Sequence, residues 1–522
     1  MEETPAALST ESVAEKKTET LRFPRTIVFV SSFAIMVLEL VAGRLMAPYL
    51  GVSLYTWTSV IGVILAGISL GNEIGGRIAD KQATRQTLAG VFFMAGFTTL
   101  LSLFFVPFMG ELLSTSRLPL LASTLIFSAV TFLPASLFLG SISPFVVKFE
   151  LRALERTGRT VGRIYAWGTL GSILGTFATG FFLISLLGTK TIVLGVAAVL
   201  FILGFFVIGQ ARLLRTRAAA MVGLMFIGGS AIPSICNVES NYYCIRVSQN
   251  GAGYILRLDH LIHSYVKPDS VNELGYSYEK IYALLTAYTG KKDFRALFLG
   301  GGGYVMPRYM ERYYPDSELV VSEIDPAVTE VNFARLELSR DTPIISVNRD
   351  ARIFLKLMSE TERYDYVFGD TFNDFAVPYH LTTKEFNDLV AAHLSDDGFY
   401  AVNLIDDLRY GNFLGSYIRT LRLSFPFVYF MPLETDWRHN GRNTFVVVGA
   451  KRPLDPGRWA AAVPPGISEL QDPESDESKA YHLVVSDAEV DELLAGRKTV
   501  ILTDDFVPVD NMLAPVFNDS YD

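Results

Sequence analysis

The chain is poor in the residues from which metal centres are built. It has two cysteines, Cys236 and Cys244, and six scattered histidines in 522 residues. Those spacings give no tetrahedral thiolate and imidazole set, so no metal is expected. Charge is scarce too, at 19% of residues, and its balance is acidic, with a net charge of -9. A basic face for nucleic acid is therefore not expected. Nor is a cleavable leader: the first apolar run starts near Ile27 and is long enough to span a bilayer. The cysteines read either as unremarkable thiols or as a local disulfide, which would need an oxidising compartment.

Apolar residues make up half of the chain, and they are segregated. Residues 1–25 read as a disordered polar tail. Residues 26–236 read as a transmembrane domain of about seven helices, near 26–50, 57–76, 88–108, 118–146, 164–187, 190–209 and 218–235. The seventh is the weakest, being short and containing Gly228, Gly229 and Pro233. The lipid bilayer is the expected partner of this half.

Lysine and arginine test the count, because they favour the cytoplasmic side. They fall in the tail (Lys16, Lys17, Arg22, Arg25) and after span 2 (Arg77, Lys81, Arg85). More follow span 4 (Lys148, Arg152, Arg156, Arg159, Arg163) and span 6 (Arg212, Arg215, Arg217). The alternate loops hold only Arg117 and Lys190. This alternation puts the N-terminus in the cytoplasm. Seven spans then put the C-terminal half outside, and an interfacial seventh segment would keep it inside. Glu39 and Arg44 in span 1, and Asn72, Glu73 and Arg77 near the end of span 2, read either as functional polar groups or as snorkelling side chains. The pairs Gly67–Gly71 and Gly171–Gly175 indicate close helix packing.

Residues 237–290 read as a small antiparallel β subdomain, and 291–522 as an α/β Rossmann-like domain. Strands are expected at 295–299, 318–323, 343–347, 365–369 and 398–404, with helices between them and an antiparallel pair at 425–430 and 443–449. This is the class I methyltransferase-like pattern. Open sheets of this kind bind ligands at the carboxyl ends of their strands. The first strand runs into Gly300, Gly301, Gly302 and Gly303, where the backbone can approach a ligand. The second ends at Glu323, Ile324 and Asp325, an acid about twenty positions on that suits ribose hydroxyls. Asp350 and Ala351 follow the third, where a carboxylate suits an adenine amino group, and Asp370 closes the fourth. Each acid also has a plain reading as a helix cap.

These motifs, with Glu239-Ser240, Tyr242, Leu258-Asp259, Arg308 and Leu381-Thr382-Thr383-Lys384-Glu385-Phe386, make residues 239–510 resemble the spermidine synthase (aminopropyltransferase) family. The whole chain resembles the bacterial forms that fuse a membrane domain to such a synthase, which implies the bacterial inner membrane. The resemblance implies S-adenosylmethionine or its decarboxylated form as co-substrate. An amine, with polyamines as the leading class, would attack the carbon beside the sulfonium, and methylthioadenosine would leave. By position Asp370 would hold the amine and take its proton, with Asp374 assisting.

The sequence departs from that family where the amines bind. Gly303 and Tyr304 stand where the family has Asp-Gly. Tyr243 and His263 replace glutamines, and Ser277-Tyr278-Glu279 replaces Tyr-His-Glu. Tyr242, Tyr243, His263, Tyr278 and Tyr304 are therefore the expected substrate contacts. An intramolecular reaction of S-adenosylmethionine stays open beside transfer to an amine. A second reading is a transporter or sensor of polyamine or nucleoside, with a soluble half that binds without turnover. The sequence leaves room for a homo-oligomer.

Overall fold

A computed structural model describes residues 20–116, 118–151, 157–208, 219, 222–223, 226–371, 377–438, 441–472, 475–513 and 516. Six of its helices are long and apolar enough to cross a membrane. They are α1 (Pro24–Leu50), α2 (Leu54–Gln82), α3 (Arg85–Ser114), α4 (Leu120–Glu150), α5 (Thr157–Ala178) and α6 (Thr189–Ile208). A π-helical turn, Thr179–Leu183, and a short helical turn, Ile184–Leu187, continue α5. The seventh candidate span lies largely outside the described residues, and its described part is helical over 226–231.

Missing side chains set the closest helix contacts. A Cβ at Gly71 of α2 would lie 2.1 Å from the Leu137 carbonyl oxygen of α4. That close approach lets the Ser141 hydroxyl donate to the Gly71 carbonyl at 3.0 Å. Gly171 of α5 meets α1 in the same way, 2.2 Å from the Phe29 oxygen. The Glu73–Arg77 pair forms at 2.6 Å on an exposed helix face, as snorkelling side chains would. Arg44 does not turn towards Glu39; its guanidinium donates to the carbonyls of Ser240, Asn241 and Tyr242.

The helices alternate in direction, and the charged loops collect at one end. Lys148 at the end of α4 bonds Asp80 near the end of α2 at 2.7 Å. Arg85 at the start of α3 reaches the Thr20 carbonyl, before α1. The C-terminal half docks at the opposite end. There the Thr189 N–H of α6 donates to Glu239 at 2.7 Å, and Arg246 donates to the Pro48 carbonyl at 3.2 Å. Lys190 donates to the carbonyls of Ser230 and Ile232, so the chain leaving the bundle emerges beside the start of α6. Arg117 and the cations at 16, 17, 152, 156, 212, 215 and 217 lie outside the described residues.

The docked half begins with a four-stranded antiparallel sheet, β1 (Val238–Glu239), β2 (Cys244–Asn250), β3 (Gly253–Leu258) and β4 (Leu261–Val266). Cys236 and Cys244 are disulfide-bonded beside it. A helix, α7 (Ser277–Thr289), leads into a seven-stranded sheet. Its strands are β5 (Arg295–Leu299), β6 (Glu318–Glu323), β7 (Ile345–Asn348), β8 (Tyr364–Gly369), β9 (Leu394–Asp407), β10 (Phe427–Pro432) and β11 (Arg442–Ala450). The order is β10-β11-β9-β8-β5-β6-β7, with β5 to β9 parallel and β11 antiparallel to both neighbours. Two buried apolar layers sandwich it, one including Leu297, Val367 and Phe413, the other Phe298, Tyr282 and Val446. The third strand starts later than the 343–347 expected, since Pro343 has no N–H for a ladder.

The helix contact predicts an asymmetry between two glycines of α2. Gly71→Ala is expected to lower the thermal midpoint of the detergent-solubilised chain by an amount matching about 1–3 kcal/mol of overpacking. Gly62→Ala, where a Cβ meets nothing within 4 Å, is expected to leave it unchanged or raise it. Scanning fluorimetry of both variants is the check.

Candidate active site

The strand order reverses at β5, which has β6 on one side and β8 on the other. A crevice opens at such a switch point, outside the carboxyl ends of the strands. Gly300 leaves β5 at φ 93°, in the region that favours glycine. A Cβ there would sit 2.1 Å from the Asp370 carbonyl oxygen, so only a bare backbone lets the two strand ends meet. Gly303 is held from above, its N–H donating to Ser264 Oγ of β4 at 2.8 Å. The small sheet is thus one wall of the site.

Glu323 ends β6. Its Oε2 accepts the Gly301 N–H at 2.8 Å and its Oε1 accepts the Asp325 N–H at 2.9 Å. Burial pushes its carboxyl above the usual range, against the pull of those N–H groups. One strand over, Asp350 caps the helix α8 (Ala351–Leu357) by accepting the Ile353 N–H at 3.0 Å. Its other oxygen contacts His380 Nε2 at 2.7 Å. Burial acts upward on Asp350, but the His380 and backbone bonds outweigh it and the net shift is downward. Ala351 is buried and Ile324 half-buried.

Asp370 follows β8 and is clamped on both oxygens. The Tyr278 hydroxyl of α7 donates to Oδ2 at 2.7 Å, and Asn403 Nδ2 of β9 donates to Oδ1 at 3.0 Å. Burial raises its pKa and those two bonds oppose the rise. Asp370 lines a small cavity, about 30 Å3, with Gly300, Gly301, Ser264, Tyr278 and Glu279. That space holds a water or two. Glu279 is the second acid there. Burial pushes it up to about 8, while backbone N–H bonds from Tyr276 and Gly275 act downward. Burial thus raises both acids, and near neutral pH Glu279 is largely protonated.

The other expected contacts scatter. Tyr304 is fully buried beneath the loop, and its hydroxyl donates to Ser346 Oγ at 3.0 Å; it packs rather than lines the cavity. Tyr242 is exposed and lies at the docking end, beside Tyr243 with ring centroids 6.3 Å apart. His263 sits on β4 with Nδ1 3.2 Å from the Leu261 carbonyl oxygen. Asp374 lies outside the described residues.

Three further residues contribute: Asn403 was not singled out in the sequence, while Glu279 and Ser240 stood in its motifs without an assigned role. Asn403 is inside a strand whose alternation gives no sign of a site. Glu279 is also the third residue of a capping box, since its Oε2 accepts the Tyr276 N–H at 3.0 Å. Ser240 donates through Oγ to Asp325 Oδ2, while its carbonyl is held by Arg44. Helix α1 and the end of β6 are thereby two bonds apart.

No family model matches the chain. It is 31% identical over 115 residues to the polyamine aminopropyltransferase of Vibrio vulnificus, covering 22% of this chain and 38% of that protein. It is 35% identical over 136 residues to the N-terminal histidine N-methyltransferase of Emericella nidulans, covering 25% of this chain and 23% of that protein. The chain thus spans under half the length of these curated relatives. A solved structure of a probable spermidine synthase from Corynebacterium glutamicum aligns with 52% of this chain and 97% of its own, at 18% identity and a TM-score of 0.41.

Glu279 makes stability depend on pH. Its folded pKa, about 8, exceeds its ordinary 4.5, so the folded state binds the extra proton between those values. Stability is then greatest below about 4.5 and falls as pH rises through about 8. Glu279→Gln keeps the cap and removes the titration. Its thermal midpoint is expected to fall less between about pH 5 and 8.5 than that of the unmodified chain. Asp259 and Asp406, each pushed up to about 6 by burial, leave part of the slope in both. Equal slopes would remove Glu279 as its source.

Proposed function

We propose that this chain, a relative of the spermidine synthase family, is a membrane-bound enzyme that cleaves an adenosyl sulfonium at the carbon beside sulfur. The observation that carries this reading is Asp370, a carboxylate clamped by Tyr278 and Asn403 where the glycine loop meets the end of β8. A sulfonium is a cation with its own leaving group, so no acid is needed to expel it. What the site must supply is a fixed negative charge and a proton acceptor, and Asp370 is both.

In this reading Glu323 takes the ribose hydroxyls and Asp350 the adenine edge. The nucleoside lies along the strand ends, outside the small cavity, with its sulfonium directed at Asp370. Tyr278 and Asn403 keep the carboxylate on the attack line, so that little reorganisation is needed in the transition state. The amine nitrogen forms a bond to carbon as the carbon–sulfur bond breaks, and sulfur keeps the electron pair. Methylthioadenosine leaves neutral, and Asp370 takes the proton the nitrogen sheds. The donor is S-adenosylmethionine or its decarboxylated form. Gly303 offers no carboxylate to a donor amine. The nucleophile is accordingly either a separate amine, such as a polyamine, or the methionine part of the donor itself.

We place the catalytic half on the outer face of the bacterial inner membrane. The cationic loops gather at the bundle end opposite the docked half, and such loops face the cytoplasm. The Cys236–Cys244 bond agrees with an oxidising compartment.

Asp370→Asn is expected to cut turnover by about 10²–10⁴-fold, while nucleoside affinity changes no more than a few-fold. Mass spectrometry of products after incubation with each sulfonium, with and without amines, reads the first quantity. Calorimetry with methylthioadenosine reads the second. Methylthioadenosine as product supports the reading, and S-adenosylhomocysteine would replace it with methyl transfer. Binding without any product would favour a sensor, and undiminished turnover in the variant would remove Asp370 from the chemistry.

A further inference from the structure

Where the two halves meet, a cavity of about 320 Å3 lies among the last turns of α1, the C-terminal half of α3, the start of α6 and the first strands. Much of its wall is apolar, from side chains such as Pro48, Tyr49, Val106 and Ile235. Four charged side chains line the same space: Arg44, Lys190, Glu111 and Glu239. Among the described residues none of the four forms an ion pair. Arg44 donates to three backbone carbonyls and Lys190 to two, and each keeps an N–H for a further partner. Glu239 accepts the N–H and the hydroxyl of Thr189, at 2.7 and 3.0 Å. Two positive and two negative charges thus surround one largely apolar space, with Asp259 and Asp325 acting on Arg44 from the far side.

We propose that this cavity is a headgroup site for a zwitterionic phospholipid. The phosphate lies against Lys190 and Arg44, the ammonium against Glu111, and the glycerol region against the apolar wall. Three observations select this occupant. The charges are balanced, which disfavours a ligand of one sign. The wall is apolar, which a small soluble zwitterion would leave in contact with water. The cavity sits at helix ends, the level at which headgroups lie. Its volume suits a headgroup with its glycerol, and the acyl chains extend along the bundle. The site is independent of the reaction proposed for the strand ends.

Native mass spectrometry of the full chain, purified in detergent, tests this. The probes are phosphatidylethanolamine and phosphatidylglycerol of one acyl composition, and free phosphoethanolamine. The expected result is one retained phosphatidylethanolamine, preferred at least about tenfold over phosphatidylglycerol. Glu111→Gln and Lys190→Met are each expected to weaken that retention about tenfold, the value of one charged hydrogen bond. Ile235→Trp, which fills the space, is expected to abolish it at an unchanged thermal midpoint. Equal retention of the two lipids, or retention unaffected by all three variants, would overturn the proposal. Tight uptake of free phosphoethanolamine would overturn its assignment to a lipid.

Discussion

The contact between Gly300 and the backbone of Asp370 is the constraint from which the rest of the site takes its position. Adjacent parallel strands run alongside each other, but the loops leaving them normally diverge. Here the absence of one Cβ lets the loop after β5 touch the residue after β8. That closeness turns the next backbone N–H, at Gly301, towards Glu323 on the other side. Two acids from strands on opposite flanks of β5 are thereby drawn to a single loop. Any side chain at position 300 would separate them, whatever it did to the fold.

A second layer of positioning comes from outside the seven-stranded sheet. Ser264 of β4 holds the loop at Gly303, and Ser240, beside β1, braces Asp325. The segment bearing Ser240 is in turn gripped by Arg44 of α1. An arginine inside an apolar helix is costly unless its donors are used, and three carbonyls use them here. The two halves are therefore joined through groups that the site needs, which makes the bundle more than a tether.

The sequence announced most of the scaffold. Glycines at 300 to 303 and acids at 323, 350 and 370 each fall at a strand end, where their spacing is visible. The alternation of cationic loops and the small-residue pairs of α2 and α5 were visible for the same reason: they are local patterns. What escaped was non-local. Asn403 reaches Asp370 across 33 positions, and nothing in the strand around it distinguishes it from a ladder residue. Glu279 looks like a cap because it is one, and only burial reveals its second identity. Tyr304, at φ 57°, is fully buried and bonds Ser346 Oγ, a placement that no local pattern shows. Strand limits missed by a few residues where Pro343, or polar Ser395 to Asp397, broke the pattern without changing the pairing.

The disulfide between Cys236 and Cys244 closes a loop that holds Glu239, Ser240 and Tyr242. One flank of this loop is fastened to the start of α6 and the other to Asp325, two residues after Glu323. A fragment cut at the start of β2 to leave out the apolar helices would keep every strand of the large sheet. It would also discard the strap that aligns one corner of the pocket. Dissecting this chain at its obvious seam separates a part from its own gauge, so measurements on such a fragment would describe a different object.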